Sequence, residues 1–152
     1  MYYSKKLGLK PGDQIVEIIT PLGIAKHFAI YLGWDNTGTE WIIENKKFDA
    51  VRLIKAADYS KTVLQVSRIQ KFSGNNIARK LAVQNALKKI GKPYDLINYN
   101  CEHFVTEAIT GKKKSRQVEN AAIIVLAILF CVAIWDNLNL KNRKNGSYSY
   151  YR

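Results

Sequence analysis

The chain has 152 residues, 24 Lys and Arg against 12 Asp and Glu, and a formal charge of +12. That length supports one modest core and not two. Residues 1–111 hold 16 basic against 10 acidic side chains, and the last 41 hold 8 against 2. A nucleic-acid partner is not expected, since no zinc, RRM or helix-turn-helix signature accompanies the charge; an anionic membrane surface accounts for it equally well. Two cysteines, one of them inside an apolar run, argue against a disulfide framework and for a reducing compartment. No apolar stretch follows Met1-Tyr2-Tyr3-Ser4-Lys5-Lys6, so a secretory leader is not expected there.

Pro11-Gly12-Asp13 reads as a simple turn without chemical role, followed by a strand over Gln14–Thr20 that Pro21-Leu22-Gly23 breaks. The next strand, Lys26–Gly33, alternates His27, Ala29 and Tyr31 with Phe28, Ile30 and Leu32. The second set is the natural core face, which leaves His27 on the face where a site can form. Trp34–Thr39 is a hairpin loop and Glu40–Asn45 its returning strand. With a two-residue turn at Asp35-Asn36, His27 faces Glu44 directly; a turn nearer Thr37-Gly38 shifts that register. Strict alternation points Asn45 to the other face. Further strands are expected over Phe48–Ile54 and Thr62–Ser67, with a polar connection at Lys55–Lys61 and a loop at Lys71–Asn76. Ile77–Ile90 is the clearest helix, capped by Asn76 and ended by Gly91 and Pro93. Its stripe of Ile77, Ala78, Leu81, Ala82, Ala86, Leu87 and Ile90 is expected to face the core.

Asn98-Tyr99-Asn100-Cys101-Glu102-His103-Phe104-Val105 carries the chemistry. Asn100 is a strong N-cap residue, and Cys101–Thr110 reads as a short helix closed by Gly111. Cys101 then stands at the first helical position, where the dipole favours a thiolate. The same position also suits a small buried side chain. Of the two histidines, His103 points away from Cys101 on the same helix, so His27 is the only plausible base. Two distant His and one candidate Cys make no zinc site, and neither metal nor other cofactor is expected.

Ala121–Trp135 is fifteen apolar residues without interruption, about 22 Å as a helix against a hydrocarbon core of roughly 30 Å. Basic clusters flank it, Lys112-Lys113-Lys114-Arg116 before and Lys141-Arg143-Lys144 after, and Trp135 suits an interface. A C-terminal membrane anchor is expected over residues 117–140, after a catalytic domain over 1–116. Residues 141–152 are expected as a basic disordered tail.

Asn100-Cys101-Glu102-His103-Phe104-Val105 resembles the signature of the lecithin retinol acyltransferase superfamily, and most of all its phospholipase A and acyltransferase branch. Pro11-Gly12-Asp13-Gln14-Ile15, His27-Phe28-Ala29-Ile30-Tyr31-Leu32-Gly33 and Ser115-Arg116-Gln117-Val118 extend the likeness over nearly the whole chain. The resemblance implies an α+β, circularly permuted papain-like (NlpC-type) antiparallel sheet with packed helices, joined to a C-terminal transmembrane helix. It implies Cys101 as nucleophile and His27 as general base and acid, acting on glycerophospholipids through a thioester, with the catalytic domain facing the cytosol. The family commonly places a second His at the end of the partner strand as third catalytic member. This chain has none there; Glu44 falls on that position, with Asn45 as the alternative. Two other functions compete: a cysteine peptidase or amidase on the same fold, and a catalytically weak membrane-remodelling or interaction protein.

Overall fold

A computed structural model describes residues 3–20, 22–63 and 65–146, with backbone alone over 141–146. The chain divides into two compact units, residues 1–115 and 116–152.

The first unit is α+β. Its sheet consists of β1 (Gln14–Ile18), β2 (Lys26–Trp34), β3 (Glu40–Asn45), β4 (Val51–Lys55) and β5 (Gln65–Gln70), ordered β4-β3-β2-β1-β5 with every pairing antiparallel. The helices are α1 (Tyr3–Leu7), α2 (Ala56–Thr62), α3 (Asn76–Leu87) and α4 (Cys101–Thr110). Both faces of the sheet are buried, not one as the alternation of β2 suggests. Val16, Phe28, Ile30 and Ile43 pack with Ala86 of α3 and Phe104, Val105 and Ala108 of α4. Ile15, Ala29, Tyr31 and Ile42 pack with Leu9 and with Ala56 and Tyr59 of α2. The segment expected as a polar connection is therefore a helix, held by one buried aromatic: Tyr59 is almost fully buried, and its hydroxyl donates to the Glu17 carboxylate.

Other expected boundaries also shift. β1 ends at Ile18, β4 starts at Val51 and not Phe48, β5 lies three residues later than Thr62–Ser67, and α1 replaces an unassigned start. The cap of α3 is Asn75, whose side chain accepts from Ala78 N, so this helix begins and ends earlier than expected. Its presumed core stripe is largely solvent-facing. Ile77 and Leu81 are exposed while Ala82 and Ala86 are buried, since small side chains let α3 approach its neighbours closely.

The β2–β3 hairpin decides where the site forms. Asp35 accepts from the backbone N–H groups of Thr37 and Thr39 and from Trp41 Nε1, building a longer turn than Asp35-Asn36 alone. Pairing starts with Trp34 opposite Glu40, but a bulge between Tyr31 and Gly33 resets it, so that Ala29 faces Glu44. Without that extra residue Glu44 would face Ile30 and point to the α4 side; with it, Glu44 shares the face of His27.

Asp13 is more than a turn residue. It is fully buried and accepts from the backbone N–H groups of Lys10 and Phe72 and from Arg79 Nη1 at 2.9–3.0 Å, with the half-exposed Lys71 at 3.2 Å. Burial pushes its pKa up, but these donors more than offset that and hold it below the usual value. Stability from a depressed carboxylate is present above its unfolded pKa and lost as pH falls through the folded one. Replacing Asp13 by Ala leaves the Lys10 and Phe72 amides without their acceptor and Arg79 without its counter-charge, though Arg79 keeps the Pro11 and Phe72 carbonyls. The substitution is expected to lower unfolding free energy by about 3 kcal/mol, measured by urea denaturation at pH 7. The deficit should shrink when the titration is repeated below pH 4.

The second unit contains α5 (Arg116–Gly146), a continuous helix. Its Arg116–Leu140 stretch, 25 residues with a mean hydropathy of 2.4 in its most apolar window, is long and apolar enough to cross a membrane. It is a candidate anchor. The helix passes the expected end at residue 140 and covers the first part of the expected tail; residues 147–152 lie outside the described residues.

Candidate active site

Helix α4 begins where local chemistry requires. Asn100 is extended, and its side-chain oxygen accepts from both Glu102 N and His103 N at 3.0 Å. His103 Nδ1 in turn accepts from Asn100 N at 3.3 Å, closing a reciprocal capping box, and Gly111 ends the helix at φ 73°. His103 is thus a buried structural residue. The cap is itself anchored: Asn100 Nδ2 donates to Leu96 O and Ser115 Oγ, and the buried Ser115 hydroxyl donates to Glu102 Oε2 at 2.7 Å.

Cys101, free and 6% exposed, meets the end of β2 and not its face: Sγ lies 3.8 Å from Lys26 O. There it is close enough to the His27 side chain to raise that residue's pKa. His27 Nε2 lies 2.8 Å from Glu44 Oε2, leaving Nδ1 as the ring nitrogen for the thiol. Glu44 is in turn held by Arg52 of β4, directly opposite it in the sheet, whose Nε and Nη2 both donate to Oε1 at 3.0 and 2.9 Å. The structure therefore brings Cys101, His27 and Glu44 into one chain of contacts.

Asn45 takes no part in that chain. It is fully buried on the other face, where Nδ2 donates to Tyr99 O at 2.7 Å and pins the end of β3 to the loop before Cys101.

Burial disfavours charge on His27, but the hydrogen bonds to Cys101 and Glu44 and the negative field of Cys101 and Glu17 outweigh it and raise its pKa from 6.5 to about 10. Burial alone would push Glu44 up; the His27 and Arg52 contacts bring it below its ordinary value. Glu17, directly across from His27 on β1, is raised by burial despite the hydrogen bond from Tyr59. Arg52, Glu17 and Tyr59 were not legible as site residues, because each arrives through sheet pairing or through α2.

A pocket of about 180 Å³ lies beside His27 and Glu44, bounded by Glu17, Ile19, Lys46 and Tyr59. A larger one of about 810 Å³, lined by Tyr3, Glu40, Ser60 and Val66, holds neither thiol nor imidazole.

A cysteine at a helix start, beside an imidazole that also meets a carboxylate, is the layout that thiol-based acyl chemistry uses. Residues 8–114 match the family described as lecithin retinol acyltransferase, and the chain belongs to that family. Membership assigns it to acyltransferase and phospholipase-type chemistry in general. None of the curated proteins compared with it matches.

Proposed function

We propose that the protein is a thiol-dependent phospholipase A and acyltransferase of the phospholipase A and acyltransferase branch, on a circularly permuted papain-like fold. One observation supports this above all: the contact chain Cys101–His27–Glu44–Arg52. His27 Nδ1 takes the Cys101 proton, and the thiolate attacks the acyl carbonyl of a glycerophospholipid. As the ester C–O bond breaks, His27 returns that proton to the departing lysophospholipid, leaving an acyl thioester on Cys101. Water then releases a fatty acid, or an amine or lysolipid hydroxyl takes the acyl group, with His27 again receiving the attacking proton. The cap bonds already occupy the N–H groups of Glu102 and His103, and Phe104 N donates to Asn100 O. The Cys101 N–H is the helix-start donor these bonds leave for the oxyanion. Glu44 orients His27 and stabilises its charged form.

The test is incubation of the purified full-length protein with phosphatidylcholine and phosphatidylethanolamine. Free fatty acid with lysophospholipid, or an N-acylated phosphatidylethanolamine, is the expected product. A folded protein that yields neither would shift the reading to a non-catalytic membrane protein.

The anchor belongs to the same reading: α5 spans the membrane once and the first unit faces the cytosol. Full-length protein in cells is expected to resist extraction by alkaline carbonate and high salt, and to enter the soluble fraction only with detergent. Release by carbonate would remove the span.

A further inference from the structure

The end of the sheet that carries His27 is also where most of the first unit's most exposed large apolar side chains lie. Among its described residues, five of the six most exposed are Phe48 (92%), Leu22 (83%), Ile24 (75%), Ile97 (64%) and Leu96 (61%). They lie on three separate segments. Leu22 and Ile24 belong to the β1–β2 connection, which leads into His27. Phe48 tips the β3–β4 turn, which follows Glu44. Leu96 and Ile97 precede Cys101, on a segment tied to the β3–β4 turn by Tyr94 N donating to Asp49 O and by the bridge between Ala50 and Pro93. The antiparallel order brings all three to one end, about 26 Å from the β2–β3 turn at the other, given the nine residues of β2.

Phe48 supplies a second, independent sign. Asp49 N donates to Lys46 O across this turn, and Phe48 sits at φ 65°, the only non-glycine described residue with positive φ. At the third position of such a turn Gly or Asn is favoured, and a bulky aromatic is disfavoured. Neither folding nor solubility calls for an almost fully exposed ring in that conformation.

We infer that these three tips form a membrane-docking surface, which seats the Cys101–His27 end of the domain on an anionic bilayer with Phe48, Leu22 and Ile97 below the headgroups. The inference rests on the lipid-substrate reading above and identifies the surface that presents the site to its substrate. Charge favours a bilayer as occupant. Lys46 and Lys47 precede Phe48, with the Lys47 ammonium 4.8 Å from its ring centre, while Asp49 after it is paired with Arg52; Lys113 lies near Asp95 at the base of the Leu96-Ile97 segment. Asp95, the acidic group of that segment, is exposed but already accepts from the N–H groups of Ile97 and Asn98 and from the Asn98 side chain. Separate apolar tips edged by lysines match the apolar layer and anionic surface of a membrane leaflet, whereas a protein partner calls for a continuous complementary face.

The test reads position and not turnover. Full-length protein carrying Cys101→Ser and Cys131→Ser is labelled with a polarity-sensitive NBD fluorophore at Asp49→Cys or, separately, at Asn36→Cys in the β2–β3 turn. Each is reconstituted in phosphatidylcholine and phosphatidylserine vesicles containing nitroxide-bearing lipid. Quenching at position 49 should exceed that at position 36 several-fold, with blue-shifted emission, and should collapse with Leu22→Ser and Phe48→Ser together. Equal quenching at the two positions overturns the inference. So does emission at position 49 that responds to dilution with unlabelled protein and not to the nitroxide lipid, which identifies a second copy as the occupant. Lipid quenching at position 49 alongside wild-type protein that releases no acyl group would keep the docking surface and sink the catalytic reading.

Discussion

Cys101→Ser is expected to lower acyl release from phospholipid by on the order of 10³-fold or more, and His27→Ala by a comparable factor. The two residues act as one unit, so the double variant should be no worse than either single one. A serine hydroxyl keeps the size of the thiol and its place beside Lys26 O, so the fold should persist. It loses the easily ionised sulfur on which attack depends. His27→Ala removes the proton acceptor and also leaves Glu44 with Arg52 alone. Thermal unfolding of both variants, together with fatty acid release from phosphatidylcholine, separates lost chemistry from lost structure. In the wild type, limiting iodoacetamide should alkylate Cys101 ahead of Cys131, and His27→Ala should abolish that preference. Cys101→Ser with undiminished hydrolysis would end the thiol mechanism.

The parts of this site that could be read from the sequence are those decided within a few residues. Asn100 and Gly111 bracket α4 through cap chemistry contained in one turn at each end, so the place of Cys101 at a helix start was legible. The alternation of β2 placed His27 and Ala29 on one face, as found. Glu44 reached that face by a different route from the two-residue turn first considered. The longer Asp35 turn and the bulge at Tyr31–Gly33 move the pairing by two residues, which preserves the parity of faces while changing every direct partner. Glu44 contacts His27 on the diagonal, with Ala29 opposite it.

What could not be read depends on distant chain. The Lys10, Phe72 and Arg79 partners of Asp13 come from before β1, after β5 and within α3, and nothing in Pro11-Gly12-Asp13 announces them. Helix α2 is short and polar, and it exists because Tyr59 finds a buried slot against the sheet and a carboxylate at Glu17. The stripe on α3 misled because burial there follows the closest approach of backbones, which selects Ala82 and Ala86 over Ile77 and Leu81.

Glu44→Gln is expected to slow acylation more than loss of one charge suggests, because Arg52 decides which end of the amide faces His27. Arg52 donates twice to Oε1. In the Gln variant the amide oxygen, the one acceptor of the group, goes to Arg52 and the NH₂ turns to His27 Nε2. Neutral His27 must then accept at Nε2 and carry its proton on Nδ1, facing Cys101, so it cannot receive the thiol proton. A wrong tautomer of this kind costs on the order of 10²–10⁴ in kcat/KM. The same substitution removes a negative charge that holds the His27 pKa up, so the imidazolium of the thiolate pair is lost at lower pH. The alkaline limb of the kcat/KM profile should therefore move down by at least about one unit. The matching stability contribution, complete below the unfolded His pKa of 6.5 and lost as pH rises towards about 10, should shrink in the urea midpoint without vanishing, since Cys101 and Glu17 still raise the His27 pKa. Adding Arg52→Gln to Glu44→Gln frees the amide to turn its oxygen to His27. That should restore part of the rate without restoring the alkaline limb. Asn45→Ala should loosen the Tyr99 segment and lower stability while leaving the limb in place. Profiles for the three variants beside the wild type decide the matter. Glu44→Gln with an unmoved alkaline limb would remove Glu44 from the site, and a limb displaced by Asn45→Ala would install Asn45 in its stead.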